Sequence, residues 1–351
     1  MKKILLASTA LVASAGFAAA EVKVGGDGYF GAGYGTYGDM GVFDTTVLDS
    51  NGNTEDRDYG FVYDLDIDFT ISGESDSGLT FGGKGDLDDM GQGQSQGARG
   101  WEAELFVSGD FGTLRMGDIS GGTEQVIGDL AGVGLTGLGD GNEFLFLLDA
   151  TATNGPTARY DYTYEGLLLS FGMNDDEGYA IGVGYDGGIW NVGLGYESIK
   201  SGTTVTVVSD DSAFDASNII VDSNGNPLGA AFTTTDDASQ VIGTVGLAIA
   251  GFDLKATYGD LDFNEATVDG AKQYGVSAGY GFDAFSVAAF WRRVEVEGAG
   301  AVSDSDNDIY GLGVAYDLGG GLALEAGVAQ FDYDNATEKL TVADFGISFD
   351  F

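Results

Sequence analysis

Cysteine and histidine are absent from this chain of 351 residues, proline occurs twice, and only 14 Lys+Arg stand against 56 Asp+Glu. Each shortage excludes something. Without thiols or imidazoles there is no zinc finger, no thiol nucleophile, no histidine-dependent triad and no disulfide framework. A formal net charge of −42 repels polyphosphate, which argues against nucleic-acid partners. Two prolines beside 61 glycines fit neither a collagen-like nor a proline-rich linker chain. No apolar run reaches the length of a spanning helix. The longest uncharged one, 241–252, is about half of what a bilayer demands. Acidity of this degree often goes with disorder, yet 17 Tyr, 22 Phe and 3 Trp are too many for a disordered chain.

The N-terminus reads as an address. Lys2 and Lys3 precede a short apolar run at 4–12, and Ala18-Ala19-Ala20 offers a small-x-small cleavage site. The expectation is an exported protein cleaved after Ala20, with a signal peptide at 1–20 and one mature domain at 21–351. Losing residues 1–20 removes two lysines and no acid, which takes the net charge to −44. An exported chain without disulfides needs either a large core or an apolar medium around it.

What the chain does have is period-two alternation. Tyr63, Leu65, Ile67, Phe69 and Ile71 alternate with Asp64, Asp66, Asp68 and Thr70. Trp190, Val192, Leu194 and Tyr196 alternate with Asn191, Gly193, Gly195 and Glu197. Tyr310, Leu312, Val314 and Tyr316 alternate with Gly311, Gly313, Ala315 and Asp317, and the last nine residues do the same. One face is apolar, with Tyr or Trp near segment ends; the other is Gly, Ser or carboxylate. Tight connections at 74–78, 109–112, 165–166, 186–188, 250–251, 282–283 and 318–320 take turns with longer polar stretches at 37–58, 91–98, 119–156, 199–239, 261–270, 295–307 and 332–340. Sixteen strand-like segments result, at 22–36, 59–73, 78–90, 99–109, 112–118, 157–165, 167–174, 178–186, 189–198, 240–250, 252–260, 271–282, 284–294, 308–318, 321–331 and 341–351. Short turns at one end, long loops at the other, and aromatics bounding an apolar face are the marks of a transmembrane β-barrel. Such a barrel pairs every backbone polar group and leaves no edge in lipid. The expected fold is therefore all-β: a 16-stranded antiparallel transmembrane β-barrel, apolar outside and wet inside.

Particular blocks carry a resemblance. The start Glu21-Val22-Lys23, the pair Phe69-Thr70-Ile71-Ser72-Gly73 and Asp76-Ser77-Gly78-Leu79, and the stretch Leu105-Phe106-Val107-Ser108-Gly109-Asp110-Phe111-Gly112 come first. Met116-Gly117-Asp118, Gly128-Asp129-Leu130, the glycine-spaced block 310–321 and the terminal Phe351 follow in order. Together they resemble the Rhodobacter-type general porins of alpha-proteobacteria, in the Gram-negative porin superfamily, over essentially the whole mature chain. Loop insertions fall at 37–58 and 199–239.

The resemblance implies a homotrimer in the outer membrane, in contact with lipid and lipopolysaccharide, whose third outer loop, here about 119–156, folds inward and narrows the lumen. It implies constriction acids on that loop, here Glu124, Asp129, Asp140, Glu143 and Asp149, facing a basic wall. It also makes Phe351 the signal read by the outer-membrane assembly machinery. The wall departs from the family. Asp64, Asp66, Asp86 and Asp88 stand where relatives place Arg and Lys. The remaining candidates for positive wall charge are Arg115, Arg159, Lys255 and Arg292, with Lys84 and Arg99 nearby. Selectivity in such a pore comes from bore and fixed charge, so the expectation is a cation-selective general diffusion channel for ions and small hydrophilic solutes. The alternative is a substrate-selective channel with a saturable solute site.

Other motifs fail on context. Asp304, Asp306 and Asp308 have EF-hand spacing, but Ile309 replaces the required Gly and Ala315 takes the bidentate position. Looser Ca²⁺ binding by acidic loops is compatible with composition and resemblance, with no ligand set assignable, and no cofactor is required. The GxGxxG match at 26–31 lies on a strand without a following helix. An enzymatic barrel would need an isolated carboxylate pair, and a β-solenoid would need a fixed repeat; neither is found.

Overall fold

The structure, a computed structural model, describes residues 21–37, 40–41, 58–87, 102–148, 157–174, 177–200, 204–206, 231–233, 237–263, 268–298, 304–334 and 338–351. The expected signal peptide lies outside them. The strands in chain order are β1 (Glu21–Gly25), β2 (Asp27–Tyr37), β3 (Met40–Gly41), β4 (Tyr59–Leu65), β5 (Ile67–Glu74), β6 (Thr80–Leu87), β7 (Glu102–Gly109) and β8 (Gly112–Gly117). A single helical turn, α1 (Glu124–Ile127), follows. Then come β9 (Thr157–Tyr164), β10 (Leu167–Met173), β11 (Tyr179–Asp186), β12 (Trp190–Ile199), β13 (Thr204–Thr206), β14 (Ala231–Thr233), β15 (Ala238–Ile249), β16 (Phe252–Phe263), β17 (Val268–Phe282), β18 (Phe285–Gly298), β19 (Ser305–Asp317), β20 (Leu322–Tyr333) and β21 (Leu340–Asp350). Among the described residues no helix is long and apolar enough to cross a membrane.

Nineteen of these strands form one antiparallel sheet, and β13 and β14 pair separately. The expected count of sixteen differs for three local reasons. Gly26 separates β1 from β2, Asp66 separates β4 from β5, and Met40–Gly41 adds a short strand on β2. The two interruptions face each other: the Asp66 amide donates to the Asp27 carbonyl at 2.9 Å, so β1 pairs with β5 while β2 pairs with β4. At the far end of the chain β21 pairs with both β20 and β2. The tight connections fall where the sequence places them. Glu165-Gly166 (φ 45° and 85°) and Ala250-Gly251 (φ 53° and 84°) are two-residue hairpin turns with both φ positive, the handedness that matches strand twist.

The apolar parity is the exposed face. Leu105, Leu194, Val314 and Phe345 are all more than half exposed. Along several strands an aromatic residue closes each end of this stripe: Tyr179 and Tyr185, Trp190 and Tyr196, Phe252 and Tyr258, Phe285 and Trp291, Tyr310 and Tyr316. Six residues of strand span about 20 Å, close to the roughly 25 Å apolar band of outer-membrane barrels once the rings reach beyond their Cα atoms.

Beyond the ring of Tyr258, Tyr274, Trp291 and Tyr310 the pattern inverts. The outer face turns charged, with Asp260, Lys272, Arg293, Glu295, Asp306 and Asp308. The inner face turns apolar and buried, with Leu261, Ala271, Val294, Val296 and Ile309. Parity is unbroken; the chemistry changes sides. The molecule therefore has an internal core at its long-loop end, which alternation alone does not reveal.

Candidate functional site

The segment between β8 and β9, described as far as residue 148, lies against the inner face of the sheet and fills that core. Its apolar residues explain why. Leu138 and Leu147 are fully buried, and Leu130, Val133, Phe144 and Phe146 are nearly so. They pack against Ile242, Phe290, Ile309, Phe331 and Val342 on one side of the site, and Leu147 packs with Ile199, Leu261, Val294 and Val296 on the other.

The inner-face glycines make room for it. A Cβ on Gly195 would strike Thr123, one on Gly182 would strike the Gly122 carbonyl, one on Gly327 would meet Gly134 at 2.5 Å, and one on Gly346 would meet Leu135 at 2.5 Å. Inward glycine is thus a bed for the loop.

Polar groups lock the loop in place. The Gln273 Oε1 accepts from the Leu145 amide at 2.8 Å while its Nε2 donates to the Leu145 carbonyl at 2.7 Å. Gln240 Nε2 donates to the same carbonyl at 3.1 Å. The Leu147 amide donates to Glu197 Oε2 at 2.6 Å. Side chains from β12, β15 and β17 thereby offer the loop an imitation of a strand edge. Farther along, Asp344 Oδ2 accepts from the amides of Leu135 and Thr136 and from the Thr136 hydroxyl, at 2.9, 2.8 and 2.8 Å.

The basic residues singled out from the sequence divide into two groups. Arg159, Lys255 and Arg292 sit against or behind the loop. Arg159 is almost fully buried and donates to the Ser120 carbonyl at 2.6 Å. Lys255 Nζ donates to the carbonyls of Ile127 and Asp129 at 2.6 and 2.7 Å, where it meets the C-terminal end of α1. Arg292 is buried with its guanidinium 5.6 Å from the centre of the Phe144 ring. Arg115 lies on the stretch of wall formed by β4–β8, paired with Glu104, and its Nε is 3.4 Å from Asp161. Lys84 is half-exposed, 3.8 Å from Asp68. Arg99 lies outside the described residues.

Among the wall acids, Asp64 is on the inner parity of β4, with Oδ1 accepting from the Leu65 amide at 2.8 Å. Asp66 occupies the break between β4 and β5. Asp86 belongs to β6 by its backbone, its side chain lies outside what the structure describes, and Asp88 lies outside the described residues altogether. Asp68, which the sequence reading did not single out, sits on the inner face beside Lys84.

Of the loop acids, Glu124 opens α1. Asp129 Oδ1 accepts from the Phe144 amide at 2.8 Å, Asp140 turns the chain at φ 48°, and the Glu143 amide donates to the Asp140 carbonyl at 3.0 Å. Asp149 lies outside the described residues. Desolvation raises Asp129, against the pull of the Phe144 amide. Desolvation, then the carboxylates of Asp140, Asp129 and Glu124, push Glu143 up to about 8, with Arg292 opposing. The terminal Phe351 is exposed, its backbone bonded in both directions to Gly26 at 3.1 and 2.9 Å.

An apolar exposed face, bounded by aromatics, and an acidic inner face narrowed by an inward loop define a membrane channel of the bacterial outer-membrane type. The chain belongs to the Gram-negative porin family, whose model matches residues 7–336. It is 30% identical to a porin of Rhodobacter capsulatus over 94% of this chain and the whole of that one. A porin structure refined at 1.8 Å resolution superimposes with a TM-score of 0.66 at 26% identity, covering 94% of this chain and all of the other. A trimer form of the outer-membrane protein OmpT of Vibrio cholerae shares the fold, with a TM-score of 0.63 at 15% identity over 95% of this chain and 99% of the other. The protein is accordingly an outer-membrane porin channel, and its family points away from enzymes.

Proposed function

We propose that this porin is a cation-selective general diffusion channel for ions and small hydrophilic solutes. The observation that carries the reading is the employment of the inner-face cations. Arg159, Lys255 and Arg292 are spent on holding the loop to the wall, while Asp64, Asp68, Glu124 and Asp140 stay at least partly open on the wall and loop. One charge seen from 4 Å is worth roughly 1–4 kcal/mol at an effective dielectric of 20 to 80. At physiological salt the Debye length is about 8 Å, so fixed carboxylates act across a narrowed bore. The constriction is assigned to Glu124, Asp129, Asp140, Glu143 and Asp149 on the loop, and the wall to Asp64, Asp66, Asp86, Asp88 and Arg115.

The reading includes a closed barrel of sixteen crossings, in which β1 with β2 and β4 with β5 each count once. Support comes from the ladder that returns from β21 to β2 and from the alternation of short turns with long loops. It includes cleavage after Ala20, assembly as a homotrimer among outer-membrane lipid and lipopolysaccharide, and recognition of Phe351 by the assembly machinery. Among the described residues no group of three or more Asp and Glu side chains is set to hold a metal. Weak Ca²⁺ association with the acidic loops is part of the proposal without a ligand set, and diffusion requires no cofactor. Reversal potentials across a planar bilayer in a KCl gradient test the reading. A potential of the sign set by K⁺ is expected; one set by Cl⁻ would overturn it.

A further inference from the structure

Between the loop and the short-turn end of β7–β10 lies a polar pocket of about 630 Å³. It is lined by Ser108, Thr113, Arg115, Gln125, Arg159, Asp161 and Thr163. Its charges are arranged in an uncommon way. Arg115 and Arg159 are direct cross-strand partners on the inner face, and like charges so placed repel. Asp161 lies between them, 3.1 Å from Arg159 Nε and 3.4 Å from Arg115 Nε, and Glu104 takes the other side of Arg115. Ser170 Oγ donates to the remaining oxygen of Asp161 at 2.6 Å. Two guanidinium groups and two carboxylates therefore balance within the cluster, and Asp110, at the turn between β7 and β8, adds one further carboxylate to the pocket lining.

Around this neutral cluster stand groups that both donate and accept. The hydroxyls of Ser108 and Thr113 are 2.9 Å apart. Thr163 is exposed. The side-chain amide of Gln125 projects from α1 into the pocket, exposed, with no hydrogen bond to another described residue. With two guanidinium groups against three carboxylates the lining is close to balanced, so a small ion gains little from it. A molecule covered in hydroxyls gains from each guanidinium N–H, carboxylate oxygen and amide, because every hydroxyl is donor and acceptor at once. The volume falls in the range of small-molecule sites.

We propose that this pocket is a dwell site for uncharged saccharides of one or two rings on their way through the channel. The proposal rests on the channel reading, and its test separates the two. The full-length protein is reconstituted in planar bilayers in KCl, and maltose is added to the short-turn side. Saturable excess current noise is expected. In a Gln125→Ala/Thr163→Val double variant, compared after scaling to its own sugar-free conductance, the half-saturating concentration rises roughly tenfold, the equivalent of two neutral hydrogen bonds. A wild-type current that falls only with the conductivity of the bulk solution would overturn the proposal. So would noise from succinate but not maltose, or an unshifted double variant. Failure of the channel reading shows separately, as an absence of sugar-free conductance.

Discussion

Glu143 is the residue whose charge state matters most to the constriction. It sits among Asp129, Asp140 and Glu124, with Arg292 as the one opposing charge. Its carboxyl is raised to about 8, so it is largely neutral at pH 6 and ionised at pH 9. Cation preference should therefore rise as pH is brought from 6 to 9, and Glu143→Gln should flatten that rise. Reversal potentials at the two pH values read it; an unchanged pH response in the variant would remove Glu143 from the constriction. The buried cations follow a different logic. A guanidinium or ammonium taken out of water is costly unless hydrogen-bonded, and Arg159 and Lys255 meet that cost with loop carbonyls.

At the scale of elements, the loop is held by a core and by a row of side chains from β12, β15 and β17. Glu197 and Gln240 are direct cross-strand partners on β12 and β15, and Gln273, on β17 beyond β16, reaches across to donate to Gln240 Oε1 at 2.8 Å. Removing two of them leaves the buried amides of Leu145 and Leu147 without acceptors, at about 1–3 kcal/mol each. A Glu197→Ala/Gln273→Ala variant should therefore show a noisier and larger single-channel conductance, as the loop leaves the wall part of the time. A quiet trace of wild-type size would mean that the apolar core alone fixes the loop.

For the molecule as a whole, the inversion of face chemistry beyond Tyr258, Tyr274, Trp291 and Tyr310 marks where lipid stops. Val314, in the middle of an exposed stripe, should tolerate charge badly: Val314→Arg is expected to cost about 2–4 kcal/mol in unfolding from lipid vesicles. Asp260→Arg, on the same face but past the aromatic boundary, should cost at most about 1 kcal/mol. Equal costs at both positions would displace the proposed bilayer. The same boundary explains why the carboxylate-rich outer ends of β16–β20 persist next to so apolar a surface.

The strand segments, their turns and the exposed aromatic stripes were legible in the sequence, because strand alternation has period two and needs no distant partner to be read. Tyr310 to Tyr316 declares its two faces from seven residues. The assignment of the loop acids to a constriction comes from the family resemblance and not from the residues' own pattern, which marks 119–156 only as one of several long polar stretches. What the sequence could not disclose was which charges meet. Arg159, Lys255 and Arg292 look like wall cations on parity alone, and only the path of the loop across β9–β12 and β15–β21 makes them its anchors. The glycine bed and the internal core beneath the loop are of the same kind. Local periodicity decides which side a residue faces; complementarity between segments distant in the chain, from 39 residues for Arg159 and Ser120 to 209 for Leu135 and Asp344, decides what it finds there.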